Sequence, residues 1–407
     1  MKPELLIPVG SPAILETAVR YGADAVYIGG EAFSLRAKAR NFTGDEMRRG
    51  VDYARRHGVK VYVAANILAH EDDLREAEGY FTALNDVGPD ALIIADPGMF
   101  ALARELCPGM AIHISTQAGN TNSGTFRFWQ EQGAQRVVAA RELSLAEIAA
   151  IRAATPPELE IECFVHGAMC MAYSGRCLLS YYFNGRDANR GACSHPCRWC
   201  YAVVEETRPG EYLPIYENER GTYIFSSGDL CMIAHIPALI AAGIDSFKVE
   251  GRMKNALYVA TITRAYRRAI DDFCQSESKY RDNLPCYLAE VQRCTYRPYT
   301  TGFYFGRPGG ADHAADDTAY KSESVYLGTV LAVDPLRGAH IEQKNKFAVG
   351  DVIEIMKPDG RDIATTVSAI TDTSGTAMLA APHAKQPLYV TLDVPPEPGD
   401  ILRMEAP

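Results

Sequence analysis

Hydrophobic positions along the first 270 residues fall into two alternating kinds of run. Short stretches rich in β-branched residues, closed by Gly, Pro, Asn or Asp, read as buried parallel strands. They are Leu5–Val9, Ala25–Gly30, Lys60–Ile67, Ala91–Asp96, Ala111–Gln117, Arg136–Glu142, Ile161–Gly167 and Ser246–Gly251. Between them, Ala13–Tyr21, Gly44–His57, Asp72–Val87 and Ala256–Phe273 carry apolar residues three and four apart, the spacing of amphipathic helices. Eight strand–helix units in about 275 residues is the complement of a TIM-type (β/α)8 barrel. A doubly wound open sheet is the alternative. However, Gly10-Ser11-Pro12 lacks the spacing of a dinucleotide-binding turn, and Gly29-Gly30 opens no regular helix. The pattern predicts an α/β barrel spanning residues 1–275.

The rhythm breaks once inside that span. Residues 168–245 separate the seventh strand from the eighth, far more than an ordinary connection, and long insertions at the C-terminal face of a barrel are usually functional. Beyond it, residues 276–319 carry Pro285, Arg297-Pro298-Tyr299 and Arg307-Pro308-Gly309-Gly310 and read as an irregular connector. From Tyr320 onward, short alternating runs are separated by Asp334-Pro335, Lys357-Pro358-Asp359-Gly360 and Thr373-Ser374-Gly375. They predict a small C-terminal antiparallel β-barrel over 320–407.

Composition changes this picture little. Hydrophobic content of 47% and charged content of 23% are those of a globular protein. The opening apolar run meets Pro8 too early for a signal peptide, and no apolar run of about 18 residues occurs, so a cytoplasmic protein with no membrane contact is expected. Its 11 cysteines would then stay reduced, which favours metal chemistry over disulfides. The net charge of −10 neither supports nor excludes RNA, because an acidic total can hide a basic cleft. Homo-oligomerisation stays open.

The candidate chemistry lies in the insertion. Its thiols read Cys170-x6-Cys177-x15-Cys193-x3-Cys197-x2-Cys200, with Cys231 further on. Thiolate softness suits zinc or an iron–sulfur cluster, but the gap between Cys170 and Cys177 is too wide for a zinc knuckle. Cys193-x3-Cys197-x2-Cys200 also matches the radical S-adenosylmethionine pattern. That motif follows the first strand of its barrel, whereas seven strands precede it here, so the match is set aside and Cys200 is surplus. Protease chemistry finds little support. No Gly-x-Ser-x-Gly elbow occurs, His70-Glu71-Asp72-Asp73 lacks the second histidine of a zinc helix, and His166 near Cys170 is a short-range pair that chance supplies readily.

Several polar residues fall at the predicted C-terminal strand ends, where barrels place ligand contacts: Asn66, Asp96, Ser115, Gln117, Arg141, Glu162, His166, Lys248, Glu250 and Arg252. Some of these are expected to form structural ion pairs instead. Arg36, Lys38 and Arg40 make a basic loop after the second strand, either a solvated loop or an RNA contact.

Glu162-Cys163-Phe164-Val165-His166-Gly167-Ala168-Met169-Cys170, continuing through Tyr173-Ser174-Gly175-Arg176-Cys177, resembles the signature of peptidase family U32. Asn189-Arg190-Gly191-Ala192-Cys193, Ser115-Thr116-Gln117, Ser226-Ser227-Gly228-Asp229-Leu230 and Lys248-Val249-Glu250-Gly251-Arg252-Met253-Lys254 resemble further blocks of it. The run from Cys170 to Asn184 is most similar to the branch that forms 5-hydroxyuridine at the tRNA wobble position. That resemblance implies an oxygen-independent hydroxylase with a 4Fe-4S cluster and prephenate as the hydroxyl source. Cys170, Cys177 and Cys193 match cluster ligands. The fourth is Cys231, preferred for its place before the last βα unit, or Cys197. A dicarboxylate cosubstrate asks for bidentate arginine. Arg252, Glu250, Lys248 and His166 are therefore the expected catalytic residues, and Arg176, Arg190, Arg252 and Gln117 the expected cosubstrate contacts. Other branches imply two alternatives: a collagenase-like peptidase, and a cluster-bearing partner subunit in quinone-precursor hydroxylation. The C-terminal domain is a weaker candidate for a second grip on RNA.

Overall fold

The computed structural model describes residues 2–34, 41–170, 172–173, 175–198, 202–204, 212–214, 228–306 and 321–406. Two compact units emerge. One comprises Met1–Pro12, Asp24–Met253 and Arg297–Tyr320; the other comprises Ala13–Ala23, Lys254–Tyr296 and Lys321–Pro407.

The first unit contains β1 (Glu4–Pro8), β2 (Ala25–Gly29), β3 (Lys60–Ala65), β4 (Ala91–Ile94), β5 (Ala111–Ile114), β6 (Arg136–Val138) and β7 (Glu160–Ala168). A short hairpin of β8 (Ala202–Val204) and β9 (Tyr212–Pro214) follows, then β10 (Asp229–Cys231), β11 (Ser246–Val249) and β12 (Tyr299–Thr300). Strands β1 to β7 pair in parallel in sequence order, and β11 closes the ring by pairing with both β1 and β7. The predicted eight-stranded parallel barrel is present. Its strands are buried on both faces, which is why they read as nearly continuous apolar runs. Leu6, Tyr27, Tyr62 and Ile93 belong to one buried cluster of this unit.

Helix starts are written into the chain. Thr43 and Glu46 form a reciprocal capping box before α2 (Gly44–Arg56), following α1 (Pro12–Arg20). After α3 (Glu71–Val87), Asp96 caps α4 (Pro97–Leu106) by accepting from the Gly98 and Met99 amides. Asp96 is thus a helix cap rather than a ligand contact. α5 (Ser123–Glu131) and α6 (Leu145–Ala153) complete the regular units, and α7 (Leu179–Asn184) and α8 (Ile236–Ala241) belong to the long interval before β11.

Three elements lie outside the predicted pattern. Strand β10 adds antiparallel to β7, with Cys231 opposite His166, and β12 extends it. At three residues, β10 is too short to show an alternation. In the second unit, the stretch expected as irregular contains α10 (Glu277–Val291), which follows α9 (Ala256–Gln275) after a cap at Ser276. Pro285 lies inside α10 and masks its pattern, while Tyr280, Tyr287 and Val291 are buried. Arg307-Pro308-Gly309-Gly310 lies outside the described residues.

The second unit also holds β13 (Ser324–Asp334), β14 (Gly338–Glu342), β15 (Phe347–Ala348), β16 (Val352–Met356), β17 (Asp362–Asp372), β18 (Ala377–Met378), β19 (Ala380–Ala381), β20 (Pro387–Leu392) and β21 (Ile401–Glu405). Seven of these form one sheet in the order β16-β21-β13-β14-β20-β17-β18, and β16 also pairs with β17; β15 and β19 form a separate pair. The predicted turns join β13 to β14, β16 to β17 and β17 to β18. Among the described residues, no helix is long and apolar enough to cross a membrane.

Candidate active site

A cavity of about 160 Å³ opens where the C-terminal ends of the barrel strands meet the loop that follows β7. Its lower wall is charged. Lys248 on β11 points inward, its Nζ donating to Glu162 Oε1 at 2.6 Å and lying 4.7 Å from the Tyr27 ring centroid. Glu162 is fully buried and also accepts from Arg136 Nη1 at 3.0 Å. Arg136 in turn contacts Glu4 at 2.6 Å and Glu160 at 2.7 Å. Glu162, counted among the mouth residues, therefore lies below the cavity and does not line it. As the third residue of β7, it starts too low on the strand. His113 is enclosed beside this network, and burial, reinforced by Arg136 and Lys248, holds its pKa well below the ordinary histidine value.

The β7–β11 ladder decides which way the next side chains face. Phe164 pairs with Lys248, but Val249 pairs with His166, so the register slips by one residue. A bulge of this kind reverses the in–out alternation beyond it. His166 consequently packs against the Tyr299 ring, 5.4 Å between centroids, and is absent from the cavity wall. Gly167, at φ 105°, then lets the chain pass close to the Glu250 carbonyl.

Arg141 ties this corner together. Its Nη1 donates to the Ala168 carbonyl at 2.7 Å, its Nη2 lies 3.4 Å from Glu250 Oε2, and its guanidinium stacks 3.7 Å from the Phe164 ring centroid. Ala168 is two residues before Cys170, so Arg141 anchors the start of the cysteine loop. Arg252 is also buried in the wall and donates from Nη2 to Ser34 Oγ at 3.0 Å. Its guanidinium lies against Gly29, where a Cβ would collide with it. On the opposite side, Gln117 Oε1 accepts from Asn66 Nδ2 at 2.6 Å and faces Ser115 Oγ at 3.3 Å. The buried oxygen Asn66 Oδ1 and the buried Arg141 Nε have no protein partner.

Four cysteines line the same cavity: Cys170, Cys177, Cys193 and Cys197. Their loop is pinned to the barrel at Gly175, whose φ of 79° lets it pack on the Gln117 backbone, and at the Asn189 carbonyl, which accepts from the Leu68 amide at 3.2 Å. Ser180 and Ser194 bond at 2.9 Å, and the His195 amide donates to Cys193 Sγ at 3.4 Å. Cys231 is buried on β10 and is not part of the cavity wall. Cys163 is enclosed, and burial, with the nearby Glu162 charge, pushes its thiol well above the ordinary range. Among the described residues, no group of three His, Cys, Asp or Glu stands ready to hold a metal ion. The four cysteines border one space, and thiolates are the donor type that iron–sulfur clusters take.

The other expected cosubstrate contacts lie elsewhere. Arg190 is engaged with both oxygens of Asp73, at 2.8 and 3.0 Å, and Arg176 reaches toward Gly119 without lining the cavity. Arg36, Lys38, Arg40 and Cys200 lie outside the described residues. Arg141 and Asn66 were legible only as polar strand ends, and nothing in the sequence marked Ser34 as a partner of Arg252.

A parallel barrel whose mouth is roofed by a cysteine loop places the chain in a definite class. Residues 10–314 match the model of peptidase family U32, and residues 322–403 match the Peptidase family U32 C-terminal domain. The chain is 39% identical to tRNA hydroxylation protein P1 of Bacillus subtilis, over 99% of this chain and 94% of that protein. It is 39% identical to tRNA hydroxylation protein P of Escherichia coli, over 94% and 92%. The 23S rRNA 5-hydroxycytidine C2501 synthase of Escherichia coli is 41% identical over 75% of this chain and 46% of its own length. The chain is an enzyme of peptidase family U32, closely related to the branch that contains the tRNA hydroxylation proteins.

Proposed function

We propose that this enzyme hydroxylates tRNA, forming 5-hydroxyuridine at the wobble position without molecular oxygen, with prephenate supplying the hydroxyl. The observation that carries the reading is the conjunction in one cavity of four cysteines with buried cationic and amide groups. Near-full-length similarity to two tRNA hydroxylation proteins supports the substrate class. Cys170, Cys177 and Cys193 would hold a 4Fe-4S cluster, with Cys197 or Cys231 as the fourth ligand; Cys197 has in its favour that it shares the cavity wall with the other three. Such a cluster supplies one-electron redox chemistry when bound.

The chain's own residues would do the rest. Arg252 presents a guanidinium suited to one carboxylate of prephenate, and Arg141 Nε a second donor. Gln117 and Asn66 orient polar groups on the facing wall. Lys248, held by Glu162 and by aromatic faces, keeps a positive charge at the cavity floor. Glu250 positions Arg141. A peptidase would need an activated nucleophile, and His166, the histidine nearest Cys170 in the chain, is turned toward Tyr299.

The test is mass spectrometry of tRNA nucleosides from a strain deleted for this gene and any redundant homologue, with and without its restoration. Loss and recovery of 5-hydroxyuridine is expected. Unchanged 5-hydroxyuridine overturns the reading; a lost quinone would point to the partner-subunit alternative. Peptide cleavage that survives Cys177→Ala would favour the peptidase.

A further inference from the structure

The segment that roofs the cavity wears its aromatics on the outside. Tyr173, Tyr181 and Tyr182 are 51%, 60% and 83% exposed, and Phe183 and Leu178 are exposed beside them. This is not a frayed loop. Ser180 on α7 is fully buried and bonded to Ser194, and Asn184 Nδ2 donates to Ser194 Oγ at 2.7 Å. Leu179 and Tyr173 also line the cavity, so Tyr173 and the start of α7 stand at its rim. Several aromatics close together in the chain and exposed to water contribute little to the fold, and a cluster of this kind marks a contact surface.

Charge selects the occupant. Residues 170–198 contain Arg176, Arg186, Arg190 and Arg198 against the single acid Asp187, in a chain whose net charge is −10, and of these Arg190 is already paired with Asp73. A locally cationic stretch interleaved with exposed rings matches single-stranded nucleic acid: bases stack on the rings and phosphates meet the guanidiniums. The enclosed cavity adds a requirement, since a nucleobase can enter it only after leaving its neighbours' stack. Resting on the RNA substrate proposed above, we infer that Tyr173, Tyr181, Tyr182 and Phe183 form a stacking platform. It holds the unpaired bases that flank the target nucleotide while that nucleotide occupies the cavity.

The test uses the full chain purified anaerobically, a fluorescently labelled anticodon stem-loop RNA, and anisotropy titration. Tyr182→Ala and Tyr181→Ala should each weaken binding about tenfold, whereas Tyr182→Phe, which keeps the ring, should stay within about twofold of wild type. Phe128→Ala, an exposed ring elsewhere in the barrel unit, should bind as wild type does. Iron content and thermal midpoint should be the same in all four variants. If wild type binds the stem-loop and restores 5-hydroxyuridine while the Tyr181→Ala/Tyr182→Ala double variant binds equally well, the platform is refuted and the hydroxylase reading stands. A wild-type chain that neither binds the RNA nor restores the nucleoside overturns both. If sedimentation shows a wild-type dimer that the double variant dissociates, with RNA affinity unchanged, the face is a contact between copies and the inference falls.

Discussion

Replacing Glu162 with glutamine should be among the most damaging single changes in the barrel unit. The carboxylate is fully buried and compensates two cations, Lys248 at 2.6 Å and Arg136 at 3.0 Å. Arg136 would keep Glu4 and Glu160, so the loss falls on Lys248. Its ammonium would retain only the Tyr27 and Phe164 ring faces among the contacts described above. Removing one partner of a buried pair costs about 3–5 kcal/mol, because the remaining charge is left without compensation. Lys248→Met is milder, about 1–3 kcal/mol for a lost charged hydrogen bond, since Glu162 still holds Arg136. The double variant removes both charges and should cost less than the sum of the singles, with a coupling of about 2 kcal/mol. Trp129 is buried in the first unit, so urea unfolding followed by tryptophan fluorescence reports on it. A Glu162→Gln protein within about 0.5 kcal/mol of wild type, or strict additivity in the double variant, would refute the reasoning.

Three other outcomes are expected. Arg252→Lys should weaken prephenate binding by about 1.5–3 kcal/mol in calorimetry while leaving the unfolding midpoint unchanged. Gly29→Ala should reproduce that loss by displacing the guanidinium, and equal affinity in both would assign Arg252 to structure. His113 is held unprotonated by burial first, then by Arg136 and Lys248, whereas the unfolded chain takes up a proton near the ordinary value of 6.5. Its contribution to stability is therefore complete above that pH and is lost as pH falls, by up to about 1.4 kcal/mol per pH unit. The urea midpoint of His113→Gln should lack that slope between about pH 6.5 and 5, while wild type shows it. Alanine at Cys170, Cys177 or Cys193 should abolish bound iron in anaerobically purified protein, and alanine at Cys163 should not. Comparison of Cys197→Ala with Cys231→Ala identifies the fourth ligand, and stoichiometric zinc without sulfide in the wild type would sink the cluster.

The eight barrel strands, the long interval after the seventh and the turns of the C-terminal sheet were legible because each is a local pattern. Strands buried on both faces must be apolar, and tight turns need particular residues. The cysteine spacing was equally plain. Helix α10 was obscured by Pro285, and β10 by its brevity.

What remained was decided by pairing between segments distant in the chain. A single-residue slip between β7 and β11 turned His166 away from the cavity, and no periodicity in either strand announces it. Glu162 sits below the mouth because of where β7 begins against its neighbours, which placed it under Lys248. Arg190 found Asp73, 117 residues earlier, and Arg252 found Ser34, 218 residues earlier. The order of residues determined which elements form and which chemistry they carry. Only closure of the barrel determined which of those side chains share one cavity, because side-chain direction depends on register, and register belongs to the pair of strands rather than to either one.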